Sequence, residues 1–338
     1  MKKIWLLVTA VLSFSLLLAV LVLQRVTPTA ATTATINSFL PSPGSLQLSF
    51  CPRDNCEKIL TDFLDAANST IHCALFEIDL ESVKKVLLEK STAIEVKVVT
   101  DNDYLSQFNH SFVRADKWGL MHNKFCVIDG KTVSTGSMNP TENDAHKNNN
   151  NLMLISSSLV AQNYGEEFQE LWNGQFKGGE EIRNPQILVG TVPLKIYFCP
   201  EDHCADQVKE ELRRAKHSIQ FMTFSFTHEG IANVLLLQHL EGIPIQGIME
   251  ARQISEYSKF PVLQYQLGAE NVIKDSNPRN LHHKVFIIDG ETVITGSFNP
   301  TEGGNERNDE NLLIIKDKEI AGKFGEEWEK LYGGHSNP

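Results

Sequence analysis

Two blocks of the sequence carry histidine, lysine, serine and asparagine at matched spacing. In the first block, His122 and Lys124 precede an Asp-Gly turn that is typical of a β-hairpin, and Ser137 and Asn139 follow it. Residues two apart on a strand share a face, so this hairpin would present imidazole, ammonium, hydroxyl and amide groups together. A bound phosphate oxyanion needs several donors beside one nucleophile or proton carrier. The second block offers the same groups at His282, Lys284, Ser297 and Asn299.

The two blocks belong to an internal duplication. Residues 122–142 return as residues 282–302, and 14 of these 21 positions are identical at a constant offset of 160. Segments on both sides of the blocks repeat as well. Two copies are too few for a solenoid. They predict two similar domains, at 45–180 and 190–338, with a shared site where the halves meet.

Strand-like and helix-like segments alternate around the blocks in each half. This alternation predicts an α/β fold in which helices cover a mixed sheet. Amphipathic helices at Gly165–Trp172 and Gly325–Tyr332 should close the two halves, with their aromatic pairs packed on the sheet. The other predicted elements are helices at Glu57–Ala67, Leu80–Lys90, Ala205–Ala215 and Gly230–His239, and strands at Thr70–Phe76, Ile94–Thr100, Leu194–Phe198, Ser218–Phe226 and Ile243–Glu250.

Both blocks fit the pattern H-x-K-x4-D-x6-G-S-x-N, and in this the chain resembles the phospholipase D superfamily. The resemblance covers both halves from about Leu46 onward. It implies two α/β/α sandwich domains related by a pseudo-twofold axis, with both motifs forming one phosphodiesterase site. One histidine would attack phosphorus and the other would protonate the leaving group. The remaining motif positions, which the resemblance makes structural, are Asp129, Gly136, Asp289 and Gly296.

The two copies differ at a position that matters for the histidines. Glu310 stands where the first copy has Asn150, and in similar enzymes an acidic residue near this position orients a catalytic histidine. We therefore expect Glu310 to support His282, which leaves His122 with an amide or with another acid such as Glu142 or Asp144. An exposed acid at a strand end is the alternative. By family habit, the histidine of the first motif is the nucleophile, which would make the second the general acid.

No metal or cofactor is expected, because the two motif lysines would hold the phosphate in place of a metal. Cysteines recur at the same spacing just after a strand in each half, which favours a local disulfide in both copies, Cys51 with Cys56 and Cys199 with Cys204. A four-cysteine zinc site is the alternative, although the spacing lacks CxxC. Cys73 and Cys126 lie in apolar runs and are interpreted as buried thiols.

The first 25 residues form a separate segment. An apolar run from Ile4 to Leu23 is long enough to span a bilayer, which favours a retained transmembrane signal-anchor over a cleaved signal peptide. Lys2 and Lys3 favour a cytoplasmic N-terminus, so the catalytic body would be extracytoplasmic. Signal cleavage would instead give a secreted protein. Residues 26–44 are interpreted as a linker.

Composition narrows the function further. With 41% hydrophobic and 22% charged residues, the chain of 338 residues is neither disordered nor a polytopic membrane protein. Its net charge of -11 is opposite to that of a generic nucleic-acid binder. We expect a membrane-anchored phosphodiesterase acting on phospholipid headgroups, with one chain sufficient for a complete site. The alternatives are an endonuclease of the same superfamily that cuts DNA or RNA, and a non-catalytic binding module.

Overall fold

A computed structural model describes residues 39–333 of the chain. The predicted membrane segment at 1–25 lies outside the described residues, as does most of the predicted linker. Between residues 39 and 333, no helix combines the length and the apolar character needed to cross a membrane.

The first half builds a mixed sheet of seven strands. Its elements are β2 (Ser45–Cys51), α1 (Cys56–Asp65), β3 (Thr70–Leu75), α2 (Glu81–Ser91), β4 (Glu95–Thr100), β5 (Val113–Ala115), β6 (Leu120–Met121), β7 (Lys124–Ile128), β8 (Thr132–Gly136), α3 (Glu142–His146), β9 (Asn150–Ser156) and α4 (Ser158–Trp172). The strand order is β2-β9-β8-β7-β3-β4-β5, and only the β3-β4 and β4-β5 pairs of this sheet are parallel. Strand β6 leaves this sheet and pairs with a strand of the second half.

The second half repeats this plan in a larger sheet. Its elements are β10 (Gln186–Val189), β11 (Val192–Cys199), α5 (Cys204–Arg213), β12 (Ile219–Thr223), α6 (Glu229–Leu240), β13 (Ile245–Met249), α7 (Phe260–Leu267), β14 (Val272–Lys274), β15 (Lys284–Ile288), β16 (Thr292–Gly296), α8 (Glu302–Glu306), β17 (Asn308–Lys316) and α9 (Lys318–Gly333). The order is β1-β10-β11-β17-β16-β15-β12-β13-β14, where β1 is Leu40–Ser42. The predicted helices and strands are thus present. Most ends differ by a few residues, but the two closing helices begin seven residues earlier than predicted, at Ser158 and Lys318.

Helices cover both faces of each sheet, which explains why the central strands are apolar throughout. In β7, Phe125 and Val127 belong to a core shared with α4 and α9, whereas Cys126 and Ile128 belong to a separate core under α1 and α2. A strand buried on both faces is a continuous apolar run rather than an alternating one. The shared core joins strands of both sheets, and all described residues form one unit. The domain limits at 45–180 and 190–338 stay a prediction.

Three disulfides connect the cysteines of the described chain. Cys51–Cys56 and Cys199–Cys204 are the local pairs expected in each half. The interpretation of Cys73 and Cys126 as thiols is wrong, because the structure joins them to each other. They are directly opposite each other on the antiparallel strands β3 and β7. Because these strands are 53 residues apart in sequence, their register is a tertiary property that the apolar runs did not reveal.

Candidate active site

The motif residues lie at the ends of the hairpin strands rather than within them. Strand β7 begins at Lys124 and β8 ends at Gly136, so His122, Ser137 and Asn139 stand in the connections just beyond. Gly136 adopts a φ of 135°, and a Cβ there would be 2.4 Å from the backbone oxygen of Asn151. The motif therefore requires glycine for both its conformation and its space. Gly296 has the same constraint against the Asn311 oxygen.

The motif aspartates hold the hairpin turn, as the resemblance implied. Asp129 has a φ of 53° and is followed by Gly130 at 61°, the positive angles of a type I′ turn. Its carboxylate accepts hydrogen bonds from the backbone N–H groups of Asn68, Ser69 and Thr70. Although burial alone would raise its pKa, these donors bring the pKa of Asp129 far below its ordinary value. Asp289 repeats the arrangement in the second hairpin.

Each motif histidine is held by side chains of the other repeat. His122 Nδ1 lies 2.7 Å from Glu310 Oε2, and Glu310 is fully buried. His282 Nδ1 lies 2.8 Å from Asn150 Oδ1 and 3.2 Å from Asp144 Oδ2. The two motifs therefore form one site. The predicted pairing of Glu310 with His282 is wrong, because the supporting residues exchange between the repeats.

Both histidines have one carboxylate each, but from different positions in the repeat. Asp144 corresponds to Gly304 in the second copy, and Glu310 corresponds to Asn150 in the first. Gly304 has no room for a side chain, since a Cβ would be 2.5 Å from the Asn299 oxygen. The site is thus nearly symmetric in shape and asymmetric in chemistry. From the sequence, we considered Asp144 only as one of several alternatives, and only as a partner for His122. Glu142, the other such alternative, is exposed, and its backbone N–H donates to Asp79.

The motif serines contact the residues that support the histidines. Ser137 Oγ is 3.3 Å from Asn150 Oδ1 and accepts the backbone N–H of Asn151 at 3.0 Å. Ser297 Oγ accepts the backbone N–H of Asn311 at 2.9 Å, and it also bonds the Glu310 carboxylate. Both serines are fully buried. They therefore orient the residues that support the histidines.

In each repeat, the motif lysine and the motif histidine both contact the same aromatic ring. Each ammonium donates to the backbone oxygen of the histidine two residues earlier, at 2.5 Å for Lys124 and 2.8 Å for Lys284. The Phe76 ring lies 4.8 Å from Lys124 Nζ and 4.9 Å from the His122 ring. Phe224 makes the matching contacts in the second repeat. Sequence reasoning missed both, although they occupy equivalent places after β3 and β12.

Burial favours the neutral form of both motif histidines. It is the main cause that lowers the pKa of His122 well below its ordinary value, and the charges of Lys124 and Lys284 add to the effect. Burial lowers the pKa of His282 to about 4, against the opposing effect of Asp144. A neutral imidazole whose Nδ1–H donates to an acceptor leaves Nε2 unprotonated, which is the nucleophilic form.

Burial also shifts the pKa values of the two motif lysines and of Glu310. Burial lowers the pKa of Lys124 to about 8, while Glu310 opposes this shift. For Lys284, burial and then the charge of Lys124 lower the pKa well below its ordinary value. Burial raises the pKa of Glu310 to about 7. Cations crowded in a dry site bind an anion strongly, because the anion supplies the missing counter-charge.

The motif asparagines complete the site. Asn139 donates from Nδ2 to Asp144 Oδ2 at 2.8 Å, which also fixes the carboxylate beside His282. The Oδ1 atoms of Asn139 and Asn299 are buried, and among residues 39–333 they have no hydrogen-bond partner. These oxygens are therefore available to a substrate hydroxyl or a water molecule.

One group of acids in residues 39–333 has the spacing of metal ligands. Carboxylate oxygens of Glu167, Glu170 and Glu201 lie within 4.8 Å of one another. Glu167 and Glu170 also line a cavity of about 440 Å³. None of these acids, and none of the other residues that line the cavity, belongs to the histidine motifs. A metal bound there would therefore not be coordinated by the motif residues.

Comparison with known proteins identifies the family. The family model described as "Cardiolipin synthase, PLD-like domain" matches residues 60–172 and 208–332, which is most of the chain. The chain belongs to this PLD-like family. A crystal structure of phosphatidylserine synthase from Haemophilus influenzae Rd KW20 has the same fold, with a TM-score of 0.63, 13% identity, and coverage of 86% of this chain and 88% of that one.

Curated relatives match one repeat's length of the PLD-like chain. A protein named phospholipase D from Rickettsia felis is 31% identical over 132 residues, which is 39% of this chain and 65% of that protein. A mitochondrial cardiolipin hydrolase from Xenopus tropicalis is 29% identical over 143 residues, or 41% and 68% of the two chains. The chain thus spans about two thirds or slightly less of the first relatives it matches.

Proposed function

We propose that this protein is a membrane-anchored, metal-independent phosphodiesterase that hydrolyses phospholipid headgroup bonds through a phosphohistidine intermediate. The main observation behind the proposal is that each repeat supplies the side chains that contact Nδ1 of the other repeat's motif histidine. This arrangement places two buried histidines, each with Nδ1 occupied, beside two buried lysines. Family membership and the names of the relatives, phospholipase D and cardiolipin hydrolase, support a phosphodiesterase. One chain supplies both motifs, so a monomer suffices.

The chemistry divides between the two histidines. In the first step, Nε2 of His122 attacks phosphorus, the P–O bond to the leaving alcohol breaks, and His282 donates a proton to that oxygen. In the second step, His282 takes a proton from water, whose oxygen attacks phosphorus and breaks the P–N bond. The ammonium groups of Lys124 and Lys284 stabilise the added negative charge in both transition states. An anionic substrate raises the pKa of His282 and so favours the protonated acid.

The substrate class is tested by two parallel cleavage assays, one with a phospholipid and one with nucleic acid. We expect the purified protein to hydrolyse a headgroup-labelled phospholipid in mixed micelles and to release the free headgroup. The net charge of -11 disfavours a polyanionic nucleic acid as substrate. Single-stranded DNA and RNA are assayed in parallel at matched phosphate concentration. Faster cleavage of nucleic acid than of lipid would assign the nuclease function instead, and no cleavage of either would reject both.

Activity is expected to persist after treatment with EDTA. In the proposed mechanism, the buried ammonium groups of Lys124 and Lys284 stabilise the charge that a divalent cation stabilises in metal-dependent phosphodiesterases. Initial rates are measured before and after dialysis against the chelator, with magnesium and calcium added back. A strict requirement for either ion would contradict the lysine-based mechanism.

We propose that the catalytic body lies on the non-cytoplasmic side of a membrane. The apolar run Ile4–Leu23 and the preceding lysines support this orientation. The three disulfides support it too, because such bonds persist mainly in oxidising compartments.

Cysteine alkylation under denaturing conditions tests the orientation in intact cells. We expect Cys51 and Cys56 to react only after reduction, and external protease to degrade the catalytic body. Reduced cysteines in a protease-protected body would reverse the topology.

A further inference from the structure

The connection between the two repeats carries a buried lysine in an unusual conformation. Lys177 lies between α4 and β10, its side chain is 3% exposed, and its backbone φ is +61°. Non-glycine residues rarely adopt such angles, and where they do the surrounding contacts hold them there. A loop that only joined two domains would need neither burial nor strain.

The contacts of Lys177 are made with two buried aspartates. Its ammonium lies 2.9 Å from Asp116 Oδ2 and 2.7 Å from Asp309 Oδ2, and its backbone N–H donates to Asp309 Oδ1 at 2.5 Å. The two carboxylates are 0% and 4% exposed. The lysine therefore binds Asp309 through two atoms, which fixes the position of that carboxylate.

Asp309 is the residue that connects this cluster to a motif histidine. Its backbone oxygen accepts the N–H of His122 at 3.0 Å, and the next residue, Glu310, bonds His122 Nδ1. Asp116 begins the loop that leads to His122, and this loop is pressed on the lysine at Gly119, where a Cβ would be 2.7 Å from Lys177 Cε. Lys177 thus holds both segments that position the imidazole.

On the His282 side of the site, an uncharged residue of the first repeat takes the place of Asp309. Asn149 corresponds to Asp309, and its side chain accepts from the amide of Asn277 at 2.6 Å. Its backbone oxygen accepts the N–H of His282 at 2.9 Å, as Asp309 does for the other histidine. The same backbone geometry therefore exists without a lysine, and the charged cluster distinguishes the His122 side.

The cluster also faces one acid of α4 and one that follows β11. Burial is the main cause that raises the pKa values of Glu167 and Glu201, and the charge of Asp309 adds to both shifts. Burial also raises the pKa of Asp309 itself to about 6, while Lys177 opposes the shift. Removing the lysine charge would leave these three acids, together with Asp116, to repel one another next to the residues that support His122.

We propose that Lys177 is a positioning residue that aligns Asp309 and Glu310 and thereby sets the geometry of the His122 imidazole. This inference rests on the proposed phosphodiesterase function, in which that imidazole is the nucleophile. It gives the connection between the two repeats a role in catalysis, and only on the His122 side of the site.

The test compares Lys177→Met with a matched ion pair far from the motifs in sequence. Because Lys177→Met leaves two buried carboxylates without a counter-ion, the triple variant Lys177→Met/Asp116→Asn/Asp309→Asn is made as well, with folding checked by circular dichroism. Lys195→Met is the control, since it breaks a partly buried pair with Glu211 at 2.6 Å. We expect kcat to fall at least about tenfold with little change in KM in whichever Lys177 variants fold, and no such loss in the control.

A second readout does not depend on turnover. The Nδ1 proton of His122, bonded to Glu310, should give a downfield NMR signal in the wild type that is absent from His122→Ala. We expect this signal to shift in the folded Lys177 variants and to stay in Lys195→Met. Wild-type kcat and an unshifted signal in the triple variant would overturn the proposal. If the wild type cleaves no phosphodiester, the proposed function fails, and the NMR signal still decides the role of Lys177.

Discussion

Replacement of either His122 or His282 by alanine is expected to lower kcat by at least about three orders of magnitude. In the proposed mechanism each histidine carries one half of the same reaction, so the loss of one would remove covalent catalysis and the loss of the other would remove proton transfer. Steady-state hydrolysis of the best phosphodiester substrate measures the effect. His72→Ala is the control, because this histidine of β3 bonds Glu95 and stacks on Phe168, outside the motifs.

The covalent intermediate is expected on His122. A slow substrate quenched at low pH should leave the phosphoryl or phosphatidyl group on a single histidine, which peptide mapping identifies. The carboxylate of Glu310, which contacts His122 Nδ1, would stabilise the positive charge of this phosphohistidine. A single-alanine variant with nearly wild-type turnover would refute the shared site, and an adduct on His282 would reverse the two roles.

Asp144→Asn and Glu310→Gln are expected to affect the pH–rate profile differently. Asp144 raises the pKa of His282, so the amide variant lowers that pKa, and the general acid loses its proton at lower pH. The alkaline limb of the profile therefore moves to lower pH, and kcat near neutrality falls by about ten- to a hundredfold, within the range that general acid catalysis supplies. Profiles of kcat measured from pH 4 to 10 test this shift.

Glu310→Gln serves as the counterpart, since Glu310 supports His122 instead. We expect it to lower kcat without moving the alkaline limb, because a weaker acceptor behind the nucleophile destabilises the cationic intermediate. A shift of the alkaline limb in Glu310→Gln, with none in Asp144→Asn, would show that His122 is the acid. Circular dichroism of both variants separates these effects from misfolding, because Asp144 also accepts from Asn139 and Asn148.

Features that depend on neighbours in the chain could be predicted from the sequence. The Asp-Gly turns, the order of helices and strands, the two motif sets and the disulfides over five residues all follow from short spacing and local backbone preferences. The duplication added one long-range inference, that both motifs meet in one site. Even the difference between Glu310 and Asn150 could be noticed, because aligned copies act as an internal comparison.

The partners of these residues depended on the tertiary structure. Glu310 bonds His122 across 188 residues and Asp144 bonds His282 across the same boundary, because each repeat supplies the wall behind the other's histidine. Cys73 meets Cys126 only through the register of β3 on β7. The sequence did not indicate a role for Lys177, because a lysine in a polar connection between two domains is usually exposed. No spacing encodes such contacts, because they form only when two separately patterned sheets pack and exclude water between them.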